Sequence, residues 1–506
     1  MRGAVGGGQG IWRNLVGVNG QERALALVQA RTALNRVTIG TIVIASAVLL
    51  FTSAKTYFRA DDFSDLVETK YDTAENPVHI LTKPAYSGVY RPTTELFFLV
   101  GYRVSGLNPW SYVASDIGIF ALNVYIFFLL VKSCSGDVLQ AEGAVLVLLL
   151  QVNTYLYTVN WIGAIDNSLL SLFVMASLLY YIKAVKSVPV DGGCYLLAVL
   201  CFALGLLTKE LAIVIPMILL GYDLLFILLR ASDRGRTAAA MIIRYAPFAA
   251  IGGVYLVVRN LAGAASLTGE DNYTLSFGIN SVRSALFYGM QLGFLPGSML
   301  LFSAAYIRLS SRRVSVEDLS ILTLGLLITA IAIAPLLALS WTSPTWLLLP
   351  SVGTSMATSV LLRRVLDNWE VKWARIAFFG LLGSALVGAG LLSVRLGEAR
   401  WLQWGTYTKN VLREVESYYP ELPHGAEIYF IDGDIGKEYG VDRLFRNHPT
   451  SALRLWFNDL SLEAHTVGSW NELDPVLENG QVDRRTIFVF EYSDGHIVDR
   501  TTVARE

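Results

Sequence analysis

Charge is scarce in this chain. Asp, Glu, Lys and Arg make up 16% of its 506 residues, where a soluble chain of this length carries about a quarter. What charge there is nearly cancels, to a formal net of -1. No basic surface therefore argues for a nucleic-acid partner. Cysteine is rare too. Cys134, Cys194 and Cys201 have neither metal-ligand spacing nor the pattern of a disulfide framework, and read as small apolar fillers. No internal repeat is evident.

What the chain has instead is apolar sequence, 54% of residues, with a mean hydropathy of +0.48. The charges that exist punctuate long apolar runs, several of which reach the roughly 20 residues needed to cross a bilayer. Eleven spans are expected, at 37–54, 112–132, 141–158, 166–183, 194–208, 211–229, 240–258, 285–307, 318–339, 346–362 and 375–396. The first lies too far along the chain for an ordinary cleaved signal peptide and reads as an uncleaved anchor. The Gly-rich start, MRGAVGGGQG, reads as disordered.

Lys and Arg set the orientation. With a cytoplasmic N-terminal segment, 1–36, the later inner loops hold thirteen of them, from Lys132 to Arg375, while the short outer turns hold only Lys209. That asymmetry puts the segment 55–111 and the tail 397–506 outside the cytoplasm. The transmembrane domain is then 37–396, with 55–111 as a large first outer loop. The loop ends in an amphipathic stretch, RPTTELFFLVGYRVSGLNPWSY, expected to pack on the bilayer surface. The apolar stretch 194–229 would make a helix of roughly 54 Å, too long for one crossing. It is expected to fold into two spans at its strong charges, Lys209 and Glu210.

Four stretches carry a resemblance. They are ADDF (60–63), YRPTTELFFLVGYRVSGLNPWSYVASDIGIFALN (90–123), LLTKELAIVIPMILLGYDLL (206–225) and LLLPSVG (347–353). In this order the chain resembles the GT-C superfamily of membrane glycosyltransferases, and within it the O-mannosyltransferase-like branch that includes the transmembrane-and-TPR proteins. It departs from that branch in four ways. SPTW (343–346) is uncharged where the branch carries a Glu-Arg pair, ASDIGIFALN after NPW has Asp116 and Phe120 where the branch has histidines, NWIGAIDN (160–167) matches a family motif only loosely, and no TPR array follows the last span.

The resemblance implies a polytopic helical protein that moves a sugar from a polyprenyl-phosphate donor to a hydroxyl on an extracytoplasmic glycan, lipid or protein, with inversion. Membrane lipids and that donor would be its partners, and a bacterial plasma membrane its setting. A hydroxyl is a poor nucleophile near neutral pH, and a positioned carboxylate that takes its proton is the usual remedy. The resemblance gives that role to Asp61 or Asp62, without deciding between them. The other would orient the acceptor or hold a divalent cation. The residues alone also allow a helix cap or a solvated pair.

Lys209 is the candidate for the lipid phosphate, with Glu210 orienting it or the acceptor, and Arg91 as a second cation. All three also suit a charged turn or anchor at the headgroups. Asp166 and Arg259 are candidate supports. N-capping would explain Asp166, and a headgroup anchor would explain Arg259. Glu270 and Asp271, in a loop (261–284) that could cover the site, read as solvated. No metal site is expected from the ligand spacing.

In the tail, Trp401, Trp404, Val411, Leu412, Val415 and Tyr418 fall at helical spacing, and Pro420 and Pro423 end that helix. AEIYFID and RTIFVFEY read as strands, giving a small α+β domain. DGDIGKEYG (432–440) reads as a turn. The rival from outside the enzymes is a flippase or transporter of lipid-linked sugars, and a further alternative that shares the lipid donor is a polymerase. Transporters, however, place ionisable residues near mid-membrane and often carry inverted repeats.

Overall fold

The structure is a computed structural model that describes residues 40, 42–47, 49–50, 56–85, 88–264, 275–292, 315–367, 403–433, 439–446, 448–478 and 485–505. Among these, six helices are long and apolar enough to cross a bilayer. They are Pro109–Ser135, Ile162–Lys186, Glu210–Arg230, Arg234–Leu261, Val316–Ala338 and Pro344–Arg364. A seventh span results if Val138–Leu150 and Val152–Val159, bent by 66° at their junction, are one crossing. Gly192–Thr208 is apolar but shorter. These elements fall on the expected spans. The expected spans 37–54, 285–307 and 375–396 lie wholly or partly outside the described residues, as do Glu270 and Asp271.

The helices begin where the sequence supplies caps. Asp137 accepts the N–H groups of Leu139 and Gln140, and Asp191 those of Gly193 and Cys194. Asn108 accepts from Trp110 ahead of a helix that opens on Pro109, and Ser315 forms a capping box with Asp318. Each satisfies backbone donors that a helix N-terminus leaves open.

Pro344–Arg364 is the central helix. Its apolar window is 100% buried, against 22% for Arg234–Leu261 at the periphery. It crosses Val316–Ile333 at two glycines. A Cβ on Gly353 would lie 2.4 Å from the carbonyl oxygen of Gly325. Small residues allow this backbone approach, which gives the LPSVG stretch a packing reason. The apolar run 194–229 breaks where expected. Lys209 is extended (φ -159°, ψ 138°) between Gly192–Thr208 and the 3-10 turn Glu210–Val214. The two arms close tightly, since a Cβ on Gly205 would sit 3.1 Å from that of Ala212.

Ahead of Pro109–Ser135, Pro92–Ser105 is a helix. Leu96, Val100 and Val104 leave one exposed row along it, continued by Leu107 and Trp110. An apolar row of this kind suits a helix lying in the membrane interface.

The C-terminal part carries a four-stranded sheet of order β2-β1-β3-β4. Its strands are β1 (Glu427–Asp432), β2 (Glu463–Val467), β3 (Ile487–Ser493) and β4 (His496–Asp499). β1 runs parallel to both β2 and β3, and β4 is antiparallel to β3. The predicted strands are thus β1 and β3. The predicted helix occupies 403–418 and stops before Pro420, with Val411, Leu412 and Val415 buried and Tyr418 against Phe490 of β3, ring centroids 6.1 Å apart. Asp432, at the end of β1, accepts the Val441 N–H at 2.7 Å. The rest of the Gly-rich stretch after it (434–438) lies outside the described residues.

This domain is packed on the segment around Asp62–Glu68. Helix Pro449–Phe457 lies against Asp62–Glu68, Phe445 meets Phe63 with ring centroids 5.8 Å apart, and Tyr71 donates to Asn458 at 3.0 Å.

Candidate active site

Asp61 and Asp62 are adjacent in sequence and end up in different surroundings. Asp61 takes the N-cap position of the short helix Asp62–Glu68, yet its side chain makes no capping bond. It faces a cavity and pairs with the Arg446 guanidinium. Asp62 is buried and turned away from that cavity. Its Oδ2 accepts the Arg59 N–H at 3.0 Å, and its Oδ1 accepts the Gly163 N–H at 2.6 Å. Asp62 therefore stitches the DD turn to the NWIGAIDN stretch. Gly163 is needed there, since a Cβ would stand 2.9 Å from Asp62 Oδ1.

Burial pushes both carboxyls up. For Asp61 the Arg446 and His448 charges oppose the rise. Asp62 reaches about 7 although Arg59 and its two backbone donors pull the other way.

The cavity holds about 500 Å³. Across it from the DD turn, the other sequence motifs converge. Arg91 donates to Asp166 at 3.0 Å and to Glu210 at 3.1 Å. Lys209 donates to the same Asp166 oxygen at 2.8 Å and to Asn167 at 2.8 Å. The chain Glu210–Arg91–Asp166–Lys209–Asn167 thus joins three separate stretches of sequence. Asp166 is not the helix cap that its position suggested. Ala164 holds the cap position, and Asp166 sits in the first turn with its side chain given to the two cations. A carboxylate there also suits the positive end of the helix. Arg259 is half-buried at the end of Arg234–Leu261 and is not part of the cavity wall.

Five cations line the space (Arg59, Arg91, Lys209, Arg443 and Arg446) against three carboxylates (Asp61, Asp166 and Asp442). Aromatic walls come from Tyr157, Trp161, Trp341, Trp346 and Trp404. The uncharged 343–346 stretch forms part of the rim. The buried Arg59 guanidinium lies over Trp161 and Trp404, at 5.2 and 5.3 Å from their ring centroids.

Sequence reading missed Arg59, Trp161, Arg443 and Arg446. The loose NWIGAIDN match was the one available signal, and it supplies Trp161, Gly163, Asp166 and Asn167. No group of three or more His, Cys, Asp or Glu that could hold a metal ion occurs among the described residues. Asp62, already bonded through both oxygens, is not arranged as a ligand.

Fold and site together define a class, that of multi-pass helical membrane proteins with a charged cavity roofed by a C-terminal α/β layer. More particularly, the chain has the GT-C fold. ArnT from Cupriavidus metallidurans bound to undecaprenyl phosphate superposes with a TM-score of 0.51 at 13% identity, over 90% of this chain and 93% of that one. The archaeal oligosaccharyltransferase AglB from Archaeoglobus fulgidus, in complex with an inhibitory peptide and a dolichol-phosphate, gives a TM-score of 0.47 at 13% identity, over 89% of this chain and 69% of that one. No family model and no curated protein matches the chain.

Proposed function

We propose that this protein is a membrane glycosyltransferase. It transfers a sugar from a polyprenyl-phosphate donor to a hydroxyl of an acceptor on the extracytoplasmic face. The observation that carries this reading is the convergence of Asp61 with Arg91, Asp166 and Lys209 on one cavity whose cations outnumber its carboxylates. The fold shared with an undecaprenyl-phosphate-binding protein supports it.

The chemistry follows from charge. The acceptor O–H gives its proton to Asp61 as its oxygen bonds to the anomeric carbon. The bond from that carbon to the phosphate oxygen breaks on the opposite face, and the polyprenyl phosphate leaves with one more negative charge than the donor had. Placed cations stabilise charge that develops in this way. Lys209 has three N–H donors. Two go to Asp166 and Asn167, and the third serves the phosphate. Arg91 and Glu210 fix the network around it. Asp62 shapes the turn and is not the base. The Lys and Arg distribution of the loops supports a place for the C-terminal domain on the same outer face.

The test is transfer from a panel of undecaprenyl-phosphate hexoses and pentoses by the full chain in nanodiscs. Mass spectrometry of lipid-linked sugars and surface glycans, with and without the gene, identifies the acceptor. Release of undecaprenyl phosphate coupled to a new glycosidic bond is expected. Movement of an intact lipid-linked sugar across the bilayer with no bond made would replace the enzyme with a flippase.

A further inference from the structure

The C-terminal domain reaches the candidate base from two sides. The Leu444 carbonyl accepts the Ala60 N–H at 3.0 Å, and the Arg446 guanidinium pairs with Asp61 Oδ2. The same guanidinium lies over Trp161, 5.5 Å from the ring centroid. It is thus held by an aromatic face as well as by the carboxylate. The backbone on both sides of the contact is unusual. Ala60 has φ 50° and Arg446 has φ 46°, values that residues other than glycine rarely adopt and that persist where the surroundings over-determine them. Packing of Phe445 on Phe63 and of Pro449–Phe457 on Asp62–Glu68 supplies that determination.

From this juxtaposition we infer that Arg446 is a positioning residue for the transfer reaction, holding Asp61 through Oδ2 and leaving Oδ1 to take the acceptor proton. The inference rests on the glycosyltransferase reading with Asp61 as base. Asp61 is faced by Arg59, Asp62 and Asp65 from its own segment, by Asp166 from Ile165–Lys186, and by Arg446 and His448 from the C-terminal domain. Its surroundings otherwise favour the protonated acid, through burial and neighbouring carboxyls. Arg446 is the cation in contact with it. A protonated Asp61 has no site for the incoming proton. The C-terminal domain then does more than cover the cavity: it decides whether the base is ready.

The experiment is a rate-versus-pH profile for the full chain in nanodiscs, with whichever undecaprenyl-phosphate sugar the wild type turns over. In Arg446→Ala the acidic limb should move to higher pH by about 1–3 pH units, the effect of one adjacent opposite charge on a carboxyl. KM for the donor should stay within about twofold, and Arg446→Lys should bring the limb most of the way back. A rate lowered equally at every pH, with the limb unmoved, means a structural contact only and overturns the inference, as does a wild-type profile. If the wild type transfers no sugar from any donor, the glycosyltransferase reading fails on its own. The hold of Arg446 on the Asp61 carboxyl, the part of the inference that does not depend on transfer, is then decided by infrared titration of the Asp61 carboxyl band, assigned by its loss in Asp61→Asn. The midpoint should rise in Arg446→Ala, and an unchanged midpoint overturns the inference.

Discussion

Two polar knots tie the same helices at opposite ends. At one end, Asp166 and Glu210 bind Arg91 and Lys209. About 20 Å further along the same helices, by helical rise, Asp223 accepts from Tyr181 at 2.6 Å and Tyr245 at 3.3 Å and lies 3.5 Å from Arg244. Both knots bury a carboxylate among donors, and both lie in stretches that a sequence scan for intramembrane charge would flag. They differ in access. Asp223 and Tyr181 have no exposed surface, whereas Asp166 and Lys209 open on a cavity of about 500 Å³. Asp223 also opens a π-helical turn, Asp223–Ile227, so its knot pins an irregular backbone. Buried charge by itself does not mark a functional site. What distinguishes the first knot is a cation that opens on a space.

The sharpest way to break this comparison is Asp61→Asn, which keeps the side chain's size and removes its capacity to take a proton. Transfer should fall about 10²- to 10⁴-fold, with binding of undecaprenyl phosphate retained. Asp62→Asn should lose less, and Asp65→Asn controls for removal of charge from the loop. Full activity in Asp61→Asn would sink the assignment of the base.

Asp223→Ala probes the sealed knot. It leaves Arg244 and two tyrosine hydroxyls without their acceptor, and removing one partner of a buried pair costs about 3–5 kcal/mol. A lower melting midpoint in nanodiscs is expected, with the turnover of the folded fraction unchanged. A loss of turnover at unchanged stability would make the two knots alike.

Lys209→Ala should weaken donor binding or turnover by about 10- to 150-fold, equivalent to about 1.5–3 kcal/mol for one charge-assisted hydrogen bond. Lys186→Ala, at the far end of Ile165–Lys186, should do neither. Equal and negligible effects would return Lys209 to the role of a headgroup anchor.

The smallest effect concerns Asp62. Its carboxyl stands at about 7 in the folded chain against an ordinary value of 3.8, chiefly through burial. The folded state therefore holds that proton more tightly than the unfolded state. The stabilisation is complete below about pH 4 and is lost as pH rises through about 7. Thermal melting from pH 4 to 8 should show the wild type losing stability relative to Asp62→Asn, which mimics the protonated form in lacking charge. A difference that stays flat with pH would show Asp62 ionised throughout, held by its two backbone donors.

Much of this was legible in the sequence because the signals are local. Long apolar runs gave the spans that fall among the described residues, and the Lys209–Glu210 interruption gave the break between Gly192–Thr208 and Glu210–Arg230. Alternating apolar residues gave β1 and β3. The motifs also named Arg91, Asp166, Lys209 and Glu210 as candidates, and all four meet in one network. The opposite fates of Asp61 and Asp62 were not legible. They depend on the Gly163 N–H, 101 residues away from Asp62, and on Arg446, 385 residues from Asp61. Asp166 had the right position for a cap, and only the approach of Arg91 and Lys209 diverts it. Arg259 had the right charge at a span end, but its helix is peripheral to the cavity.

The separation of 385 residues between Asp61 and Arg446 also sets a timetable. A ribosome adding about 5–20 residues per second needs roughly 20–80 s to travel from one to the other. For that interval the helices can enter the membrane and pack while the contact that completes the cavity does not yet exist. The Asp61–Arg446 pair is therefore among the late contacts of the fold. A chain cut before Arg446 would carry Asp61 without this partner, and on the proposed reading its transfer would be confined to higher pH until the C-terminal domain has docked.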